Sequence, residues 1–173
     1  MVLFLISFFL FCNISFAEVN YYDSGMELLD NKKYYKAITA FENHLNSNPG
    51  DSRTLNNIGF AYYKKNERDK AIKFYRLAVK ADPGYAVAYN NLGIALYHGD
   101  EFDEARTCFK KAVELNPEYA KAMINIGLVY LRRKDKKTAK EWYNRAKTVN
   151  ENYVRERQNA AEKKYREGKL HHW

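Results

Sequence analysis

Apolar residues along the chain recur at the spacing of one face of an α-helix. One stripe at i, i+3, i+4 and i+7 consists of Tyr89, Leu92, Gly93 and Leu96, and the next, at i, i+4 and i+7, consists of Ala105, Phe109 and Ala112. Residues 98–101, which include Gly99 and Asp100, are turn formers and separate the two stripes. The pattern therefore predicts two helices joined by a short turn.

The same helix pair is repeated every 34 residues. All three prolines, four of the eight glycines, one alanine column and one aromatic column keep this period. The columns are Pro49, Pro83 and Pro117; Gly25, Gly59, Gly93 and Gly127; Ala37, Ala71, Ala105 and Ala139; and Phe41, Tyr75, Phe109 and Tyr143. Glycine within a helix costs about 1 kcal/mol relative to alanine, so we expect a close approach of the partner helix, with Ala105 as the small residue opposite Gly93.

These columns resemble the signature of the tetratricopeptide repeat family, which reads Trp-x2-Leu-Gly-x2-Tyr, then Ala-x3-Phe, then Pro. Four copies match, at residues 18–51, 52–85, 86–119 and 120–153. The end copies depart from the signature, with Ser24 before the glycine of the first copy and Glu151 in place of the last proline, as terminal repeats of solenoids often do.

The resemblance implies an all-α fold, a right-handed α-solenoid of four helix-turn-helix repeats. Beyond them, Val154, Ala161 and Tyr165 form a thin apolar stripe on an otherwise charged segment. We therefore expect a capping helix and a basic tail at residues 154–173, because the last repeat of a solenoid needs a cover with a polar outer face.

Residues 1–17 carry no charged side chain and are mostly apolar. The stretch is shorter than the roughly 20 residues that span a bilayer core, and it ends in Ser15-Phe16-Ala17. This is typical of a secretory signal peptide cleaved after Ala17, although no basic residue precedes the apolar run. We expect an exported protein, in the bacterial periplasm or secreted; the alternative is an N-terminal membrane anchor, and no other stretch of the sequence is long and apolar enough to span a membrane.

Positive charge is concentrated towards the C-terminal end. The chain has 29 Lys and Arg against 21 Asp and Glu, a net charge of +8, and residues 131–173 carry the whole surplus. The densest cluster, called here the basic patch, consists of Arg132, Arg133, Lys134, Lys136 and Lys137. It is interpreted either as a solvated surface or as a contact for an anionic membrane, a cell-wall polymer or an acidic partner. Nucleic acid also fits the charge, but the predicted export argues against it.

No combination of residues in the sequence is typical of catalysis or of cofactor binding. There is no phosphate-binding glycine loop and no nucleophile motif, and Cys108 is the single cysteine after the leader, which excludes a multi-cysteine metal site. We expect Cys108 to be a packed or partly exposed free thiol, and His44, which falls on a packing column, to be a buried structural histidine. The prediction is a protein without enzymatic activity, cofactor or metal.

A second face of each first helix carries polar and aromatic residues away from the packing stripe. The resemblance implies that this face lines the concave side of the solenoid, where partners bind. The predicted groove consists of Arg53, Asn56, Asn57, Phe60, Tyr63, Asn90, Asn91, Ile94, Tyr97, Lys121, Asn125 and Leu128.

Three asparagines of this face, Asn57, Asn91 and Asn125, keep the repeat period and are called here the Asn ladder. Because an amide both donates and accepts hydrogen bonds, the ladder is interpreted either as pairing with the backbone of a bound peptide or as ordering neighbouring helices. We predict a non-enzymatic interaction module that binds a peptide or partner segment in the groove. The alternative is a surface adaptor that uses the basic patch.

Overall fold

The computed structural model of the chain describes residues 20–166. The predicted leader and the last seven residues of the predicted basic tail lie outside the described residues. Within residues 20–166 the structure contains nine α-helices and no strand. The helices are α1 Tyr21–Asp30, α2 Tyr34–Ser47, α3 Ser52–Lys64, α4 Arg68–Ala81, α5 Ala86–Tyr97, α6 Phe102–Leu115, α7 Ala120–Arg132, α8 Lys136–Val149 and α9 Glu151–Arg166.

The helices pack as consecutive pairs, and each pair stacks on the next. The first helix of a pair packs on its own second helix and on the second helix of the preceding pair. The first helices also touch one another, α3 on α5 and α5 on α7, whereas no comparable contact joins the second helices within the described chain. The first helices therefore lie on the inner side of the array, and the predicted all-α solenoid of helix pairs is confirmed.

The last described helix, α9, covers the end of the array by packing on α8 and α7. Val154 is buried in this contact, with 3% of its surface exposed. The helix begins at Glu151, three residues before the predicted boundary. Glu151 stands where the other repeats have proline, so the chain re-enters a helix directly, and Asn150 accepts a hydrogen bond from the Tyr153 amide at 2.8 Å.

The two helices of each pair are joined by the same kind of turn, in which one non-glycine residue adopts a left-handed conformation. These residues are Lys32, Asn66, Asp100 and Lys134, with φ of 57°, 62°, 62° and 62°. The next residue donates its amide across the turn to the carbonyl five residues earlier, as Glu101 does to Leu96 at 3.0 Å. This bond satisfies carbonyls that a helix end leaves without partners.

The glycine column packs against the aromatic column rather than against the alanine column. A Cβ atom added to Gly93 would lie 2.6 Å from Cε1 of Phe109, and one added to Gly59 would lie 2.7 Å from Cδ1 of Tyr75. The prediction that Ala105 stands opposite Gly93 is therefore wrong. The flat ring of the second helix lies directly on the glycine, which explains why a residue of low helix propensity is found here.

None of the helices that the structure describes is both long and apolar enough to cross a membrane.

Candidate functional site

The inner face of the first helices carries a strip of apolar side chains. Phe60, Ile94 and Leu128 occupy equivalent positions on α3, α5 and α7. Each is half-buried and packs against the core with one side. Tyr63 and Tyr97 lie one turn further along α3 and α5 and are also half-buried. Together these five residues are called the inner strip.

The Asn ladder connects neighbouring first helices. Asn91 donates from Nδ2 to Oδ1 of Asn56 at 2.9 Å, and Asn125 donates in the same way to Asn90 at 2.9 Å. Each bond joins residues 35 positions apart, so the register is one repeat plus one residue. The geometry favours the interpretation that the ladder orders the helices.

Two predicted groove residues are enclosed by this arrangement. Asn56 and Asn90 are only 5% and 3% exposed, and their amide oxygens face the next helix. Placing them on the open surface of the groove was therefore wrong. Their side chains turn into the contact between first helices because that contact supplies the donor which a buried amide oxygen needs.

The first rung of the ladder differs from the others. In the first repeat the position equivalent to Asn56 is Tyr22. Asn57 donates to the Tyr22 hydroxyl at 3.4 Å and approaches Sδ of Met26 at 3.2 Å. All three side chains are half-buried, so water reaches this rung and it is weaker than the two amide–amide bonds.

Charged residues flank the inner strip at both ends. Arg53 and Lys121 are exposed in the first turns of α3 and α7. At the opposite end, Arg132 donates from Nε to the Tyr97 hydroxyl at 3.2 Å. The Tyr97 ring in turn meets His98 edge-on at 5.6 Å between ring centroids. Cations and aromatic rings thus form a continuous surface at the turn end of the strip.

The basic patch spans the end of α7, the turn and the start of α8. All five residues are exposed. Two of them make contacts within the protein, because Arg133 forms an ion pair with Asp103 and Arg132 binds Tyr97. The lysines of the patch have no ion pair among the residues that the structure describes.

Two further side chains, His44 and Cys108, carry reactive groups. His44 is half-buried rather than buried. Its ring packs against Tyr22, and its Nε2 lies 3.3 Å from Oδ2 of Asp51, a side chain that is itself partly exposed. Cys108 is a buried free thiol. Burial, with a smaller contribution from Glu104, raises the pKa of Cys108 to about 12, so the thiol stays protonated and is a poor nucleophile. The described residues contain no cluster of three side chains able to hold a metal ion.

An open cavity at the turn end was not found from the sequence. It encloses about 310 Å³ and is lined by Tyr63, Lys64, Asn66, Arg68 and His98. Arg68, the first residue of α4, completes it. Arg68 is not on a helical wheel of the first helices, because it lies on a second helix and the turn before α4 places it at the cavity.

Comparison with known sequences finds the tetratricopeptide repeat. One model of this repeat matches residues 52–85 and another matches residues 84–152. No curated protein sequence matches the chain.

Several solved structures have the same fold. A crystal structure of MamA is 27% identical and covers 84% of this chain and 85% of its own, with a TM-score of 0.70. PilF of Pseudomonas aeruginosa is 26% identical over 76% of this chain and 60% of its own, with a TM-score of 0.72. YrrB is 22% identical over 78% of this chain and 69% of its own, with a TM-score of 0.68.

Proposed function

We propose that this chain, a member of the tetratricopeptide repeat family, is a non-enzymatic scaffold that binds an extended segment of a partner protein along the inner strip. Models of the tetratricopeptide repeat match residues 52–152 without a gap. The observation that carries the proposal is the strip itself. Its apolar and aromatic side chains pack on the core with one side only, and the other side offers area to a ligand.

The spacing of the strip suits an extended ligand. Phe60, Ile94 and Leu128 present one apolar group per repeat, and an extended segment can bury a side chain against each of them. Apolar area removed from water contributes about 25 cal/mol per Å². The strip therefore supplies most of the affinity, while the charged residues at its two ends select the orientation of the ligand.

A solved relative of the fold is consistent with this role. YrrB is described as a tetratricopeptide repeat protein with an unusual peptide-binding site. At 22% identity the likeness extends to the fold, so the position of a site in this chain is argued from its own residues. The Asn ladder is left out of the proposed ligand contact, because Asn91 and Asn125 each use one Nδ2 hydrogen in a bond to the neighbouring first helix and both side chains are half-buried in that contact.

The proposal is tested with peptides selected from a random displayed library against the protein. We expect Ile94→Gln to weaken the selected peptides about fivefold, because about 1 kcal/mol of apolar contact is lost. Leu128→Gln tests the next repeat. The matched control is Leu77→Gln on α4, a second-helix leucine that is 39% exposed. Equal losses for Ile94→Gln and Leu77→Gln would place the ligand outside the inner strip.

The proposal extends to export. Support for this extension comes from residues 1–17, which resemble a secretory leader that ends in Ser15-Phe16-Ala17, although no basic residue precedes the apolar run. The intact mass of the protein from its native cells is expected to correspond to a chain that begins at Glu18. A mass that includes Met1 to Ala17 would contradict cleavage and leave the N-terminal anchor.

A further inference from the structure

The open cavity at the turn end, called here the Arg68 pocket, brings basic groups from three different segments to one place. Lys64 comes from the end of α3, Arg68 from the start of α4 and His98 from the residue that follows α5. Tyr63 contributes a half-buried ring whose centroid lies 6.1 Å from that of His98. The walls thus carry two permanent cations, one titratable imidazole and one phenol.

The basic groups of the Arg68 pocket form no ion pair within the described residues, although Oε1 of Glu101 and Cδ of Arg68 would both lie 3.4 Å from a Cβ atom placed on Gly99. No carboxylate of the described residues lies within 4.0 Å of a nitrogen of Lys64, Arg68 or His98. The neighbouring Glu67 is engaged elsewhere, since Oε1 accepts from the Tyr35 hydroxyl and Oε2 from Lys70, both at 2.6 Å.

The stem of Arg68 packs on the protein rather than extending fully into water. It is half-buried, and its Cδ would lie 3.4 Å from a Cβ atom placed on Gly99. The stem therefore lies within van der Waals reach of the turn after α5. A guanidinium held in this way binds an anion at a lower entropic cost than one that moves freely.

We propose that the Arg68 pocket binds the anionic oxygens of a carboxylate or phosphate group carried by the segment that lies on the inner strip. The inference rests on the proposed function and names the chemistry at one end of its ligand. Guanidinium binds such groups through two parallel hydrogen bonds, and Lys64 adds a point charge. Tyr63 belongs both to the inner strip and to the pocket wall, so the two surfaces are continuous.

The pKa of His98 depends on the charged groups around it and therefore changes when an anion binds in the pocket. Partial burial, then Arg68, then Arg132 of α7 lower the pKa of His98, and Asp100 opposes them. Lys64 and Tyr63 face it from α3, and the ring of Tyr97 on α5 meets it edge-on. A bound anion stabilises the imidazolium, so the pKa of His98 rises on binding. By linkage, anion affinity increases as the pH falls through that pKa.

The test follows the His98 ring by NMR during pH titrations of the whole protein at constant ionic strength. One arm contains sulfate, which has the tetrahedral oxygens of phosphate and keeps its charge, and the other contains acetate. We expect saturating anion to raise the pKa of His98 by about half a unit or more, which corresponds to roughly threefold tighter binding to the imidazolium form. His44, which lies on α2 beside Asp51 and does not line the pocket, is the control within the same spectrum.

Two substitutions separate the pocket from general surface charge. Arg68→Met is expected to weaken the binding of the preferred anion about tenfold, and Lys64→Met to weaken it less. Lys73→Met removes one exposed charge from the same helix and should leave binding unchanged. A larger rise in the pKa of His98 with sulfate identifies the bound group as phosphate-like, and a larger rise with acetate identifies it as a carboxylate.

Equal shifts of His98 and His44, or equal binding by Arg68→Met and Lys73→Met, would overturn the inference. No peptide is present in these titrations, so they remain independent of the inner strip. A protein that binds selected peptides but not sulfate or acetate disproves the pocket alone. One that binds the anion at Arg68 but no peptide disproves the proposed function alone.

Discussion

The second rung of the Asn ladder gives the sharpest prediction about stability. Asn91→Ala removes the donor to Oδ1 of Asn56, which lies 2.9 Å away. Asn56 is 5% exposed, so water cannot readily replace that donor. Leaving a buried acceptor without a partner costs about 1–3 kcal/mol, and alanine regains about 0.6 kcal/mol of helix propensity over asparagine. The expected net loss is about 0.5–2.5 kcal/mol.

Asn57→Ala is the matched control, because it makes the same chemical change at the equivalent position one repeat earlier. Its Nδ2 faces the Tyr22 hydroxyl at 3.4 Å and Met26 Sδ at 3.2 Å, both on half-buried residues, and its Oδ1 accepts a long hydrogen bond from Nδ2 of Asn56 at 3.5 Å. Water can solvate the hydroxyl after the substitution, and the bonds of Asn57 to Tyr22 and Asn56 are both long, at 3.4 and 3.5 Å, so their loss together costs about 0.5 kcal/mol. The gain in helix propensity then leaves stability within about 0.5 kcal/mol of the wild type.

The assay is urea denaturation followed by circular dichroism, with thermal melts in parallel. A loss of about 1.5 kcal/mol should lower the melting midpoint by about 3–6 °C in a chain of this size. Asn125→Ala, which removes the donor to Asn90, should behave like Asn91→Ala. The pair Asn56→Ala and Asn91→Ala should show a coupling energy of about 0.5–1.5 kcal/mol in a double-mutant cycle.

Equal destabilisation by Asn57→Ala and Asn91→Ala, or a double-mutant cycle without coupling, would contradict a structural role for the second rung. A variant of Asn91 or Asn125 with unchanged stability and weakened peptide binding would restore the other interpretation, in which the ladder pairs with a ligand.

The remaining predictions concern packing, backbone strain and reactivity. Gly93→Ala should destabilise the protein by about 1–3 kcal/mol, because the new methyl would lie 2.6 Å from Phe109; Gly50→Ala, with no atom within 4 Å, should not destabilise it by packing. Lys134→Gly should stabilise the protein by about 0.5–1 kcal/mol, because it removes a side chain at φ 62°. At pH 8 the Cys108 thiol, with its pKa raised to about 12, should react with iodoacetamide at least about 100-fold more slowly than in the unfolded chain, as measured by mass spectrometry of its peptide.

The fold follows from the sequence because each column answers a local requirement. Ala37, Ala71 and Ala105 repeat because their positions leave no room for a larger side chain, and all three are 0% exposed. Such columns fix the two helices of a pair relative to each other. The columns do not show which residues of the two helices are in contact, and so the packing of Phe109 on Gly93 was found only in the structure.

The candidate site was predicted in part, for a geometric reason. Asn56 and Asn57 are about 100° apart on one helix, and a helical wheel places both on the same broad face. The lateral position of the next first helix decides that Asn56 is enclosed while Asn57 remains half-open, and this position is a property of repeat stacking. Arg68 could not be predicted as part of the site for a similar reason, because a turn rather than a helix face places it at the cavity.

The central claim, that a partner lies on the inner strip, is tested most directly by site-specific photocrosslinking in the native cells. A benzoylphenylalanine replaces Phe60 on α3 in one strain and Leu77, exposed on α4, in another. We expect a defined crosslinked partner from position 60, less of this product in the Ile94→Gln background, and no such product from position 77. Crosslinking of the same partner from position 77, with none from position 60, would contradict it.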